Sequence, residues 1–322
     1  MVQLISTSSV DVVIVTYGNR WKFLEQVLDR VTKMNEVNKV ILIDNGTSYT
    51  LGDRIKKFEK IKLHSLERNE GSAKGFYQGI ELALQEDGQY IWLLDDDNLP
   101  NKNALFNLMI VQNHLKSEGK MFVLSSFRND RKELIENKGQ KFYKNSFFEF
   151  HIKKKLMKTM SNQLNENNLL KCEAVPYGGL LLDKDLISVK DLPNENYFLY
   201  CDDIDFTYRL TLKGYDIYCA TDSIIVDLES SWYRKEKVPM FKGIFKTNDL
   251  KRGLYSIRNR VYFEKKFIAS SKLAYITNIF IYMVFVWIKY MPKTRQGFLR
   301  FFRICKAIRQ GWRGDLGKEI QI

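Results

Sequence analysis

Tyr90-Ile91-Trp92-Leu93-Leu94-Asp95-Asp96-Asp97-Asn98-Leu99-Pro100 is an apolar run of strand length that ends in three consecutive carboxylates. A continuous apolar run suits a strand covered on both faces, as in a parallel sheet. Like charges at its end repel one another unless a cation or a phosphate-bound metal neutralises them. Side chains alternate along extended backbone, so Asp95 and Asp97 can converge on one ion while Asp96 faces away. The competing reading is a polar turn closed by Pro100, since Asp and Asn favour turns. Three adjacent acids are more than a turn needs.

The pattern repeats upstream. Asp11–Thr16 and Lys39–Asp44 are β-branched, apolar strand candidates, and Ile61–Leu66 is a weaker one. Phe23–Met34 and Lys74–Gln85 have helical spacing. Strands of this kind separated by helices predict an α/β domain: a Rossmann-like, mostly parallel sheet with helices on both faces. Such sheets bind ligands at the carboxyl ends of their strands. Thr16-Tyr17-Gly18-Asn19, Asp44-Asn45-Gly46-Thr47 and Asn69-Glu70-Gly71-Ser72-Ala73-Lys74-Gly75 gather polar groups at those positions. A nucleotide pocket follows, with Asp44 accepting hydrogen bonds from a base or ribose and the Gly71–Gly75 loop offering N–H groups to phosphate. Each segment alone is also ordinary turn chemistry; their recurrence favours a site.

Residues 128–170 are polar, lysine-rich and irregular, and read as an excursion without evident chemistry. Beyond them, Gly178 and Gly179 would let backbone lie close to a ligand or another strand. Tyr197-Phe198-Leu199-Tyr200-Cys201-Asp202-Asp203-Ile204-Asp205-Phe206-Thr207-Tyr208-Arg209-Leu210 then carries a second acidic group. Ile204, Tyr208 and Leu212 share one helical face, which puts Asp202, Asp203 and Asp205 in the first turn, where the helix dipole favours anions. One acid can be a cap; a carboxylate held there near a sugar can also act as a general base.

At 322 residues, with 45% hydrophobic and 13% aromatic content, the chain suits a large folded domain with an appendage. The formal charge of +13 is uneven: residues 233–322 hold 21 Lys+Arg against 5 Asp+Glu, leaving 30 against 33 before them. Such a basic block seeks anionic lipid, nucleic acid or polyanionic substrate. Cys172, Cys201, Cys219 and Cys305 lack CxxC spacing, which argues against disulfides and zinc. The N-terminus shows no basic segment leading a long apolar core, so a cytosolic setting is expected. His64, His114 and His151 stand apart from the acids and read as structural. Arg258 and Arg260 read as the solvated basic face of an amphipathic helix, the alternative being a phosphate contact. Leu273–Tyr290 is nearly all apolar, rich in aromatics and flanked by basic residues, which predicts a helix lying in a membrane interface. Arg295, Arg300, Arg303, Lys306, Arg309 and Arg313 would add attraction to anionic lipid.

Taken together, VVIVTYGNR, VILIDNGT, NEGSAKGFYQGI, WLLDDDN, PYGGLLL and FLYCDDIDFTYRL, in this order over about residues 10–260, resemble the family-2 inverting glycosyltransferases of the GT-A fold. The WLLDDDN form is most similar to bacterial galactofuranosyltransferases and rhamnosyltransferase-like enzymes. The resemblance implies a donor-contact set of Thr16, Tyr17, Asp44, Asn69, Gly71, Asp95 and Asp96, with Asp95 and Asp97 as the metal–diphosphate pair. It implies Asp203 as catalytic base with Asp202 beside it. Metal-dependent relatives often carry a histidine after the following strand; here Asp227 stands in that region and is the expected third ligand, for Mn²⁺ or Mg²⁺. The implied reaction moves a sugar, galactofuranose from UDP-galactofuranose, to a lipid-linked or polysaccharide acceptor at the cytoplasmic membrane face, with no nucleic-acid partner. The catalytic domain is expected over 1–232, with donor binding in 10–100 and the base region in 170–232. A basic, aromatic, membrane-associating helical region fills 233–322. Within the family the alternative is rhamnosyl or other hexosyl transfer by the same mechanism; from another class it is a nucleotidyltransferase or a non-enzymatic basic membrane-binding protein.

Overall fold

The computed structural model describes residues 10–137, 139–153, 168–229, 240–247, 249–293 and 296–320. The N-terminal leader reading, the 232/233 boundary and Arg295 lie outside them. The chain forms two compact units. The first contains the described residues up to Lys141 together with 168–194 and 203–229; the second contains 142–153, 195–202 and those from 240 onward.

The first unit begins with β1 (Val10–Gly18), α1 (Trp21–Val31), β2 (Val37–Thr47), α2 (Leu51–Ile55), β3 (Ile61–Ser65), α3 (Gly71–Ala83) and β4 (Tyr90–Asp95). β5 (Asn98–Pro100), α4 (Ala104–Ser117), β6 (Phe122–Arg128), α5 (Lys132–Glu136), β7 (Leu169–Cys172), β8 (Leu180–Asp183), α6 (Asp202–Leu212) and β9 (Asp216–Asp227) follow. One sheet runs β3-β2-β1-β4-β8-β6-β9-β5, with β7 on β9. The α/β class with helices flanking a central sheet is as the sequence indicates. Parallel pairing is confined to β3-β2-β1-β4 and to β6-β9; the β8, β5 and β7 contacts are antiparallel.

Local sequence explains these elements. Val10–Thr16 is wholly buried, as a β-branched strand sandwiched between helix layers must be. α1 buries Leu24, Val27, Leu28 and Val31 at helical spacing, each stabilising by roughly 2 kcal/mol. α3 starts at Gly71, three residues before the expected Lys74, so the glycine-rich segment is the helix's first turn and not a loop. Its glycines serve packing: a Cβ on Gly75 would lie 2.6 Å from Val15 Cγ1, and one on Gly79 would overlap Val13. On α6 the buried apolar residues are Phe206 and Leu210, while Leu212 is exposed. The face expected from Ile204, Tyr208 and Leu212 is the outer one; Phe206 and Leu210 offer an equally regular i, i+4 stripe, and the core took it.

The second unit holds α7 (Met240–Lys246), α8 (Leu250–Phe263), a π-helical turn over Glu264–Ile268, α9 (Lys272–Tyr290) and α10 (Gly297–Arg313). Phe147, Phe241, Ile244, Ile257, Val261, Tyr275, Val286 and Ile304 form its core. The Asp249 and Ser271 side chains cap α8 and α9, accepting from Arg252 N and Ala274 N at 3.3 Å. Gly314 at φ +87° ends α10 in the left-handed region, where glycine carries no Cβ penalty.

Arg258 and Arg260 do not form a solvated face. Arg258 is fully buried, and Arg260 donates to the fully buried Glu264 at 2.7 Å. Phe142 and Phe148 cover Arg260, with its guanidinium 4.9 and 5.9 Å from their ring centres. The aromatic residues interleaved with these arginines belong to a core that buries the guanidinium planes with them.

Candidate functional site

Strand register gathers the acids. Parallel pairing sets Thr16 beside Asp44 and Val15 beside Asp95, so the ends of β1, β2 and β4 coincide. Antiparallel pairing sets Asn98 opposite Asp227. Parallel β6 and β9 bring Arg128 to the same end.

Within the 95–97 run the acids differ in environment. Asp96 is buried; it accepts from Arg20 Nε at 2.7 and 2.9 Å and from Thr16 Oγ1 at 2.8 Å. Arg20 Nη2 also reaches Asp97 Oδ2 at 2.9 Å, and Nη1 pairs with Glu229. The Asp95 side chain is 41% exposed, with Arg128 Nη1 3.9 Å away. The surrounding protein and the nearby charges of Asp227, Asp96 and Asp203 raise the Asp95 carboxyl against the pull of Arg128, although part of the side chain is open to solvent. Burial and the charge of Asp95 push Asp97 up to about 7, although Arg20 opposes them. Asp96 rises to about 6 through burial, although Arg20 opposes it. Two carboxyls held this far above their ordinary range, side by side, mark an acid excess that the neighbouring guanidinium groups do not cancel.

Asp227 accepts from Asn98 Nδ2 at 2.9 Å and is paired with Arg128. Its carboxylate is thus engaged by two donors, and among the described residues no group of three His, Cys, Asp or Glu is arranged for a metal. Asp95, Asp97 and Asp227 present carboxylate oxygens at the same strand ends with the Asn98 amide among them: its Oδ1 accepts from Asp95 N at 3.1 Å and its Nδ2 donates to Asp227 Oδ1 at 2.9 Å.

Asp203 is half-buried. Burial raises its carboxyl above the ordinary range, while the Ile204 N–H, Arg131 and Arg128 hold it down. Asp202 is 2% exposed, and Asp205 is buried and accepts from Arg209 Nε at 2.9 Å, which makes it a structural partner. Asp44 closes its own turn, accepting from Thr47 N at 2.8 Å and Thr47 Oγ1 at 3.0 Å. Tyr17 is half-buried, its ring centre 5.3 Å from the Arg20 guanidinium. Exposed Asn69 accepts from Gly71 N at 2.9 Å, so that N–H is already engaged. Gly178 lies against Asn98, and a Cβ there would come 3.2 Å from Asp95 Oδ2. Gly179 N donates to Leu93 O at 2.8 Å. The paired glycines bring backbone against β4 and the acid cluster together.

Sequence reading passed over Arg128, Arg131 and Asn98, and gave Arg20 no role in the site. It also passed over Asn45, which ties the end of β2 to the start of α3 by accepting from Glu70 N and donating to Gly71 O.

The profile of glycosyl transferase family 2 matches residues 11–177, from β1 through the acidic strand end to Tyr177. The chain belongs to glycosyl transferase family 2. A 92-residue stretch, 28% of this chain, is 37% identical to the dTDP-rhamnosyl transferase RfbF of Shigella flexneri; it spans only 30% of that protein. Two solved structures share the fold at 13% identity. S. aureus TarS 1–349 in complex with UDP gives a TM-score of 0.52 over 94% of this chain and 81% of that one. GalNAc-T7 with UDP, GalNAc and Mn²⁺ gives 0.57 over 96% of this chain and 56% of that one. The match is to a family of glycosyl transferases, not to nucleotidyltransferases or non-enzymatic membrane-binding proteins. The second acidic group, at Asp202–Asp205, lies beyond the residues that the family profile matches.

Proposed function

We propose that the protein is an inverting glycosyltransferase using a nucleoside-diphosphate sugar. The gathering of Asp95 and Asp97 at the joined strand ends carries this reading, because a divalent cation or metal-bridged diphosphate would take the place of the protons that otherwise relieve their repulsion. Asp95 and Asp97 would hold a divalent cation, Mn²⁺ or Mg²⁺, which supplies charge neutralisation for a leaving diphosphate. Thr16, Tyr17, Asp44 and Asn69 sit at the neighbouring strand ends, where nucleoside contacts belong in such sheets. Asp203, more accessible than Asp202, takes the proton from an acceptor hydroxyl. The hydroxyl oxygen attacks the anomeric carbon as the bond to the diphosphate oxygen breaks on the opposite face, inverting the configuration.

For the donor we put dTDP-rhamnose ahead of UDP-galactofuranose, the donor suggested by the WLLDDDN form; the similarity of a 92-residue stretch to a dTDP-rhamnosyl transferase supports that order. Calorimetry with dTDP-rhamnose, UDP-galactofuranose and GDP-mannose, each with and without Mn²⁺, tests this. Tightest Mn²⁺-assisted binding is expected for dTDP-rhamnose. Binding of none of the three, or binding indifferent to Mn²⁺, overturns the donor and metal readings respectively.

The acceptor we propose is lipid-linked or polysaccharide, met at the cytoplasmic membrane face. Support comes from α9 and α10. Phe280, Val284, Trp287, Ile288, Phe298 and Phe302 are exposed, and from Lys272 to Arg313 the chain has nine Lys+Arg and no Asp or Glu. Lys272–Lys293 is long and apolar enough to cross a membrane. Its other face, however, is committed to protein: Tyr275 donates to Glu264 at 2.9 Å, and Asn278 bonds Asn145 O and Ile152 N at 2.9 and 3.1 Å. A helix tied down on one side and apolar on the other lies in the interface. A second copy of this chain would present the same positive charge and be repelled, whereas anionic lipid adds about 1 kcal/mol per nearby basic residue. Arg300 contributes least to that attraction, since it is engaged with Ile244 O and Thr247 O at 2.8 Å. Full-length protein should bind anionic phosphatidylglycerol vesicles above neutral phosphatidylcholine ones, and Phe280→Ser with Ile288→Ser should weaken both. Equal partitioning onto the two vesicle types removes the electrostatic part of the proposal, and no binding to either removes all of it.

A further inference from the structure

Asn259 is fully buried on α8, and its Nδ2 lies 2.9, 2.7 and 2.9 Å from the carbonyl oxygens of Tyr197, Leu199 and Tyr200. Two amide hydrogens serve three carbonyls, so at least one is shared. Asn259 Oδ1 accepts from Arg258 Nε at 2.9 Å, which sets the amide's orientation with its NH₂ toward the loop. Arg258 sends its remaining donors to Glu319 O at 3.1 Å and Tyr197 O at 3.4 Å. Among the described residues no acid is paired with it; burial lowers its pKa to about 10, so it stays charged at neutral pH.

The segment so gripped is strained. Phe198, Tyr200 and Cys201 have φ of 62°, 67° and 67°, in the left-handed region, and none is glycine. Each such residue costs about 1–3 kcal/mol and persists only where its surroundings over-determine the backbone. A loop that merely joined two elements would be relieved by glycine here. Instead, the strain is held by a buried amide that is itself held by a buried guanidinium, and the chain leaves Cys201 directly into the first turn of α6, at Asp202 and Asp203.

We propose that Asn259, oriented by Arg258, is a positioning residue for Asp203: by gathering the carbonyls of 197–200 it fixes the backbone from which the first turn of α6 starts. The proposal rests on Asp203 being the base. Misplacement of a reacting group by about 1 Å can cost 10²-fold in rate. Asn259→Ala should therefore lower kcat for dTDP-rhamnose hydrolysis about 10- to 100-fold while changing KM less than twofold. It should also shift the acidic limb of the pH–rate profile and speed amide hydrogen exchange over 198–204.

Asn278→Ala is the control, since it removes an equally buried amide that bonds backbone elsewhere in the same unit. It should lose comparable thermal stability and keep kcat. Equal kcat losses in the two variants, or unchanged exchange over 198–204 in Asn259→Ala, overturn the proposal. If Asn259→Ala does not fold, Arg258→Lys keeps a charge near Glu319 O but lacks the Nε donor, and a smaller loss with the same unchanged KM is expected; unchanged kcat there overturns it. A wild-type protein that turns over no donor refutes the functional reading instead, and the exchange measurement still decides whether Asn259 holds the loop.

Discussion

The strand-end cluster sets Asp95, Asp96, Asp97 and Asp227 against Arg20 and Arg128, whereas α8 sets Arg260 against Glu264 and leaves Arg258 to carbonyls. Both clusters are largely buried. In the first, negative charge exceeds positive, and Asp95 and Asp97 rise to about 6 and 7. In the second, Glu264 is met by Arg260, the Tyr275 hydroxyl and the Phe148 N–H, so both carboxylate oxygens are engaged. The first cluster holds more carboxylates than guanidinium groups; in the second the Glu264 carboxyl, although burial raises it too, meets a counter-charge of its own in Arg260. Substitutions in the two should therefore fail in different ways.

The largest effect is expected where the imbalance meets the chemistry. Asp203→Asn keeps the shape of the α6 first turn but removes the base, and should lower turnover by about 10²–10⁴ with donor affinity preserved. Asp97→Ala should abolish Mn²⁺-assisted nucleotide binding while leaving the melting temperature unchanged or higher, because a repulsion is removed along with the ligand. Normal Mn²⁺-dependent turnover by Asp97→Ala would show that the acid excess serves no cation. A larger loss from Asp202→Asn than from Asp203→Asn would move the base by one residue.

The closed cluster should break in the opposite sense. Glu264→Gln leaves Arg260 buried beside aromatic rings without its counter-charge, which costs on the order of 3–5 kcal/mol. Thermal unfolding measures this, and nucleotide affinity per folded molecule should not change. A Glu264→Gln protein as stable as wild type would mean that the pair is not what fixes the π turn.

Local patterns made the open cluster legible and hid the closed one. The apolar runs into Asp95–Asp97 and Asp44 are contiguous in sequence, and alternation along the strand set Asp96 apart from Asp95 and Asp97; that Thr16 and Arg20 are its partners was not legible there. Arg128 and Asn98 were invisible because they meet Asp227 across 99 and 129 residues, a pairing that only sheet register creates. Arg258 and Arg260 were misread for a related reason. A charged helix residue reads as solvated unless something covers it, and the cover comes partly from Phe142 and Phe148, more than 100 positions earlier. The segment from 128 to 170, where no chemistry was visible, thus supplies Arg128 and Arg131 near Asp203 and the aromatic lid over Arg260.

The smallest effect separates the clusters by pH. Asp96 and Asp97 have folded pKa values of about 6 and 7, above the ordinary 3.8, so folding favours their protonated forms. Stability from that preference is fully present below the unfolded pKa and is lost as pH rises through the folded values. Each unit of difference is worth up to about 1.4 kcal/mol. Groups shifted the other way, such as Asp53, Glu86 and Asp191, have lowered pKa values and act below about pH 4, outside this window. In chelator, the melting temperature should therefore fall between pH 5 and pH 8. Mn²⁺ with nucleotide should restore it most at the upper end, where the acids are ionised. Asp97→Asn should flatten the slope. A melting temperature that rises over the same range would mean that Arg20 and Arg128 balance the strand-end acids after all, and the two clusters would then be one kind.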